Sequence, residues 1–266
     1  MTSPAPRSSI EAQHGRRPFQ DADTPSALGA SANDAWPSAV PPVEPDGAQL
    51  PQREAAPPAQ TQAPAEFPAR DYEQIAAQGG AVYRVDPVHS LVVITVRRGG
   101  SLARLGHDHV VAARAVQGYV APDEGRADLY VPLAELTVDE PELRAQAGFD
   151  TQPSAADIEG TRANMLDKVL ETQRFPHAII RVSSVERSAS GVRLKLALLL
   201  HGVTRNFDVP VQLQAAGNEL SVTGSLVFKQ SEFGIVPFSI LGGALEVQDA
   251  LDLRFAVQAV RGVGGR

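Results

Sequence analysis

From about residue 80 to about residue 260, apolar side chains return at every second position. Residues 219–229 show it most plainly: Leu220, Val222, Leu226 and Phe228 alternate with Glu219, Ser221, Thr223, Ser225 and Lys229. A strand with one apolar and one polar face has this period, whereas a helix would need 3.6. Residues 251–259 repeat it through Leu251, Leu253, Phe255 and Val257. Residues 192–200 do so through Val192, Leu194, Leu196, Leu198 and Leu200, although Ala197 and Leu199 make the second face apolar too. Further strands are predicted at 91–97, 109–121, 126–132, 178–187 and 205–215. The gaps are turn-forming: Pro122–Asp123–Glu124–Gly125, Ser188–Ala189–Ser190–Gly191 and Ala216–Gly217–Asn218, with Gly99–Gly100 read as a hairpin turn. Such short gaps favour hairpins and antiparallel pairing. About eight one-sided strands in a stretch of this length either close into a barrel or stack as a sandwich.

One helix interrupts the series, around residues 154–171. Ser154 and Asp157 have the spacing of a capping box, and Ile158, Met165, Leu166, Val169 and Leu170 follow at near-helical intervals. It reads equally as a plug on a barrel end or as cover for a sandwich edge.

The beginning of the chain differs. Residues 1–70 hold 13 of the 21 prolines and no apolar period. A segment of this composition buries too little surface to offset its ordering entropy, so it is expected to be disordered. Residues 71–80 are read as a linker, 81–260 as the folded domain and 261–266 as a flexible tail.

Composition narrows the function. The net charge is −7, and Arg97–Arg98 is a pair rather than a basic patch, so no nucleic-acid partner is expected. With no cysteine, disulfides, thiolate nucleophiles and cysteine-borne lipid anchors are excluded. No run of eighteen apolar residues occurs, so no transmembrane segment is predicted, and the first thirty residues show no apolar core of an export signal. Neither a Gly-x-Ser-x-Gly elbow nor a phosphate loop is present, which favours a non-enzymatic reading.

Five histidines fall in the domain: His89, His107, His109, His177 and His201. His107 and His109 stand two apart. On an extended backbone both would face one side and offer two imidazoles to a divalent metal, with His201 or His89 as a third ligand. A metal-binding or metal-dependent site on His107, His109 and His201 is therefore one alternative. A structural or stress-related barrel with no ligand is another.

Four short runs carry a resemblance. Tyr83–Arg84–Val85–Asp86–Pro87–Val88–His89–Ser90, Asn164–Met165–Leu166 with Arg174–Phe175–Pro176, His201–Gly202–Val203–Thr204–Arg205, and Lys229–Gln230–Ser231–Glu232–Phe233–Gly234–Ile235 occur in that order. Over about residues 81–260 the chain resembles the YceI-like, polyisoprenoid-binding proteins. The resemblance implies an all-β fold: an extended, lipocalin-like antiparallel barrel of eight strands. It implies no required cofactor but a bound isoprenoid quinone or polyprenyl lipid, and a periplasmic or secreted location. It places His89 and His201 near the ligand's polar end. The histidine-rich Gly106–His107–Asp108–His109 departs from the family's usual pattern, as does the proline-rich arm where a signal peptide is expected.

Overall fold

A computed structural model describes residues 62–149, 151–188 and 191–262. Of the segment 1–70 expected to be disordered, residues 1–61 lie outside the described residues, as do the tail beyond 262 and the tip of the turn at 189–190, whereas residues 62–70 are ordered: Phe67 packs on Tyr130 and α1 begins at Ala69. In chain order the elements are α1 (Ala69–Ala77), β1 (Tyr83–Val85), β2 (Leu91–Val96), β3 (Arg98–Gly99), β4 (His109–Ala113), β5 (Gln117–Ala121), β6 (Arg126–Pro132) and β7 (Thr137–Val138). Then follow α2 (Pro141–Gln146), α3 (Ala155–Asn164), β8 (His177–Ser188), β9 (Gly191–Leu200), β10 (Val203–Ala216), β11 (Glu219–Lys229), β12 (Ser239–Ile240), β13 (Leu245–Val247) and β14 (Ala250–Arg261).

The fold is a closed antiparallel barrel. Its eight strands run β1–β5–β6–β8–β9–β10–β11–β14, and β14 pairs back onto β1. Closure satisfies both edges of every strand and removes the exposed edge that an open sheet would carry. β2, β4 and β7 extend the wall beside β14 at one end. The predicted strands at 126–132 and 219–229 coincide with β6 and β11. The predicted 109–121 is two strands, β4 and β5, separated by Arg114–Ala115–Val116.

β1 and β2 lie one after the other along a single edge of β14, and the segment between them bulges out. Asp86 accepts from Val88 N at 2.9 Å, and its own N–H binds Gln258 O at 2.9 Å. The buried Ser90 hydroxyl donates to Gln258 O (3.3 Å) and accepts from Gln258 N (3.1 Å), filling the gap in the ladder. The Asp-Pro-x-His-Ser run thus stitches a two-piece strand to one continuous one. Gly99–Gly100 is not a hairpin turn: Arg98–Gly99 pairs with β13 in a small three-stranded sheet. Gly100 sits at φ +84°, and a Cβ there would lie 2.4 Å from Ala244 O. Only glycine fits that approach.

The sequence places a linker at 71–80, but α1 occupies most of it and is strapped to the outer face of β5 and β6. Tyr72 is 1 % exposed and donates to Asp128 Oδ2 at 2.7 Å. Its ring stacks on Tyr119 at 5.3 Å, Phe67 meets Tyr130 edge-on at 4.9 Å, and Asp71 pairs with Arg126 at 2.9 Å. Tyr72 and Ile75 share one face of this short helix, too brief a stripe to stand out beside the proline-rich arm. Tyr72→Ala is expected to cost about 3 kcal/mol through the lost buried ring, lowering the thermal midpoint by roughly 6 to 12 °C. A chain starting at residue 81 should melt well below one starting at residue 62. Equal midpoints would show that the strap contributes nothing.

Candidate functional site

The inward faces of the strands enclose a cavity of about 460 Å³ that runs along the barrel axis. Its wall is almost wholly aliphatic, with Leu194, Leu196, Leu198 and Leu200 of β9 facing Leu251 and Leu253 of β14. The alternation that sends leucine inward sends charge outward: Lys195 pairs with Glu186, and Arg193 with Asp208 at 2.8 Å. Four aromatics, Tyr83, Phe228, Phe238 and Phe255, also line the cavity. Phe207, Phe228 and Phe233 pack with centroids 5.5 to 6.5 Å apart.

The two ends differ. At one end α3 lies across the barrel as a plug. Its Ser154–Asp157 capping box is formed, and Arg162 donates to Leu136 O (3.0 Å) and Ala134 O (2.7 Å). A single π turn, Met165–Val169, follows, closed by Leu170 N to Met165 O at 2.9 Å. It turns Met165, Val169 and Leu170 onto the cavity wall. Wall residues at this end, such as Leu133, Leu136 and Ile235, are buried. At the other end, beyond the β5–β6 and β10–β11 hairpins, the wall residues Asp123, Arg187 and Ala215 are exposed, so this end is the mouth.

Neither His89 nor His201 lines the cavity. His89 stands on the exposed bulge between β1 and β2, 2.7 Å from Asp86. Their hydrogen bond raises the imidazole pKa and lowers that of the carboxylate. His201 and Gly202 form the β9–β10 turn at φ +51° and +76°, the left-handed pair of a type I′ hairpin. The His201 ring lies 4.4 Å from Phe175 and its Nε2 is 3.2 Å from Glu171. A Cβ on Gly202 would lie 2.8 Å from the Phe175 ring. The His-Gly run and the Arg-Phe-Pro run are therefore two halves of one contact that seats the segment after α3 on the barrel end.

The geometry gives the metal alternative no support. Among the described residues, no three His, Cys, Asp or Glu side chains converge as a metal site. β4 begins at His109, so His107 lies in the preceding loop and the strand alternation does not carry it to the same face. The two rings are 6.5 Å apart and inclined at 71°. Burial, with the nearby charges of His109 and Arg144, lowers the His107 pKa.

Among the described residues His109 is the one histidine on the cavity wall, and a buried network fixes it there. Its Nδ1 lies 2.6 Å from Asp139, whose other oxygen accepts from Arg144 (2.6 Å) and Val110 N (3.0 Å). Arg144, 1 % exposed, also donates to Asp108 O (2.8 Å) and Thr151 O (2.6 Å). Burial raises the Asp139 pKa, but the hydrogen bonds from His109, Val110 and Arg144 outweigh it and the net shift is downward. Asp139 and Arg144 escape a sequence reading because neither carries a motif or a periodic position.

Asp139→Asn leaves Arg144 buried without its counter-charge and is expected to cost about 3 to 5 kcal/mol. Because the folded-state pKa of Asp139 is depressed, its contribution is complete above the ordinary carboxylate value of about 4 and is lost as pH falls through the lower folded value. Acid unfolding of the wild type should show this loss below about pH 4, and the Asn variant should lack that component. A variant as stable as the wild type, with the same acid limb, would contradict the network's role.

The structure resembles a polyisoprenoid binding domain from Saccharophagus degradans implicated in plant cell wall breakdown, at 16% identity and a TM-score of 0.49, over 68% of this chain and 98% of that one. It resembles Burkholderia cenocepacia BcnA at 17% identity and a TM-score of 0.49, over 66% and 99% of the respective chains. No curated protein matches the sequence. The model of the YceI-like domain matches residues 83–259, two-thirds of the chain and the whole of the barrel from β1 into β14. The chain belongs to the YceI-like domain family.

Proposed function

We propose that the barrel binds and carries a long apolar lipid, an isoprenoid or unbranched chain with a small polar head, and does no chemistry on it. The observation that carries this reading is the continuous aliphatic cavity of about 460 Å³, within the usual size range of ligand pockets, with one plugged end and one open mouth. Water in such a bore finds few polar partners, so an apolar chain gains by replacing it. Each methylene withdrawn from water contributes roughly 0.8 kcal/mol. About ten of them contribute on the order of 8 kcal/mol before the cost of ordering the chain, enough for tight binding without a covalent or metal anchor. An isoprenoid quinone or a polyprenyl lipid has this shape.

Native mass spectrometry of the purified protein, with lipid extraction, is expected to show a stoichiometric adduct of several hundred daltons that passes into organic solvent. Protein that carries no adduct and takes up neither added quinone nor added polyprenol would sink the proposal and leave a barrel without a ligand. A substitution separates a bore from a packed core. Ala178 faces the cavity, and Ala178→Phe should lower lipid occupancy while costing less than the roughly 1 to 3 kcal/mol of overpacking. No bound lipid in either protein together with a large loss of stability would mean that the interior is filled.

A further inference from the structure

The polar groups on the cavity wall are sorted by end. At the mouth stand the exposed Asp123 and Arg187, with the stem of Arg126, whose guanidinium is committed to Asp128 and Asp71 at 2.9 Å each. At the plugged end stand Thr161, Asn164, Gln230 and His109, in surroundings that are otherwise apolar. Thr161 and Asn164 are three residues apart on α3 and share the face that looks into the bore.

A threonine inside a helix ordinarily gives its hydroxyl proton to the carbonyl one turn back. Thr161 does not: its Oγ1 is buried and has no hydrogen-bond partner among the described residues. A buried hydroxyl left this way calls for an absent partner, either a ligand or a water. Asn164 turns a carboxamide onto the same wall and makes no side-chain hydrogen bond among the described residues. Together they offer donors and acceptors without net charge. The charged groups around them are turned elsewhere: Arg162, beside Thr161 on α3, donates to the carbonyls of Leu136 and Ala134, Asp139 and Arg144 pair at 2.6 Å, and none of the three lies on the wall.

We infer that the lipid enters polar end first, and that an uncharged head bearing a carbonyl or hydroxyl oxygen is held at the plugged end by Thr161 and Asn164, beside His109. The inference rests on the lipid-binding reading above and adds to it the direction and the head chemistry. An ionised head would have to cross an aliphatic bore and stop where, among the described residues, no Lys or Arg lines the wall, a large desolvation cost with little to offset it. The tail then fills the bore behind the head and reaches the mouth.

The test uses delipidated full-length protein and displacement of a fluorescent apolar probe by palmityl alcohol, palmitate and hexadecane. The alcohol should bind more tightly than palmitate. Thr161→Val combined with Asn164→Leu should weaken the alcohol by about tenfold or more and leave hexadecane unchanged, which shows that the bore is intact. Thr161→Ser, which keeps the hydroxyl, should retain affinity for the alcohol, and Arg187→Gln should not alter it. Tighter binding of palmitate that disappears in Arg187→Gln would place the head at the mouth and overturn the inference. So would a double variant that binds the alcohol as well as the wild type, leaving Thr161 to hold only a water. If the wild type binds none of the three compounds, the lipid-binding reading fails first and the inference with it.

Discussion

β14 has one partner along one edge and two along the other, and the interior depends on how that mismatch is resolved. On the first edge β11 pairs with it without a break, from Glu219↔Val260 to Lys229↔Ala250. On the second, β1 takes the end of the strand and β2 the middle, and the chain between them must leave the sheet and return. Register in a sheet has period two, so a slip of one residue would turn every leucine of the wall outward. Ser90 and Asp86 prevent it by both holding Gln258, which pins β1 and β2 to the same frame. Closure of the ring, a wall of one chemistry and a bore that runs its whole length follow from that shared frame.

Charge is handled in two ways in this molecule. On the outer face it is spread in exposed pairs such as Arg193 with Asp208, which are worth little individually. Beside the plugged end it is concentrated in one fully buried pair, Asp139 with Arg144. Such a pair seldom adds net stability over apolar packing, because both ions must be stripped of water. It does specify geometry. Arg144 fastens α2 to the carbonyls of Asp108 and Thr151, while Asp139, at φ +57°, orients His109 on the cavity wall. The loops around the plug are thereby held where short strands alone would leave them loose.

The parts legible in the sequence are those where one face of an element meets apolar surroundings. Alternation over 219–229 and 126–132 marks two strands to the residue, and Ser154 with Asp157 marks where α3 starts. The break in 109–121 is silent because Arg114–Ala115–Val116 continues the pattern of small and apolar residues on either side. α1 is faint because its amphipathic face, Tyr72 and Ile75, spans barely two turns beside the proline-rich arm. Histidines draw attention by chemistry, yet position governs their use. His89 and His201 belong to the turns that shape the barrel, whereas His109 reaches the bore. Thr161, Asn164 and Arg187 are ordinary surface residue types, and only the direction each takes from its element sets them apart.

The π turn at Met165–Val169 has a consequence for how this plug tolerates change in length. An α-helix with one extra residue accommodates it as a single widened turn rather than by breaking. Here that residue lets the end of the helix meet the bore with Met165, Val169 and Leu170 while Arg162 still grips the carbonyls of Ala134 and Leu136. Losing it would relax the turn to the ordinary repeat and rotate everything downstream by about 100° about the helix axis. The arrival of Phe175 over Gly202 would then be out of phase with the barrel rim. In evolutionary terms the stretch between α3 and β8 is a segment of fixed residue number, where side chains can be exchanged more readily than the chain can be shortened.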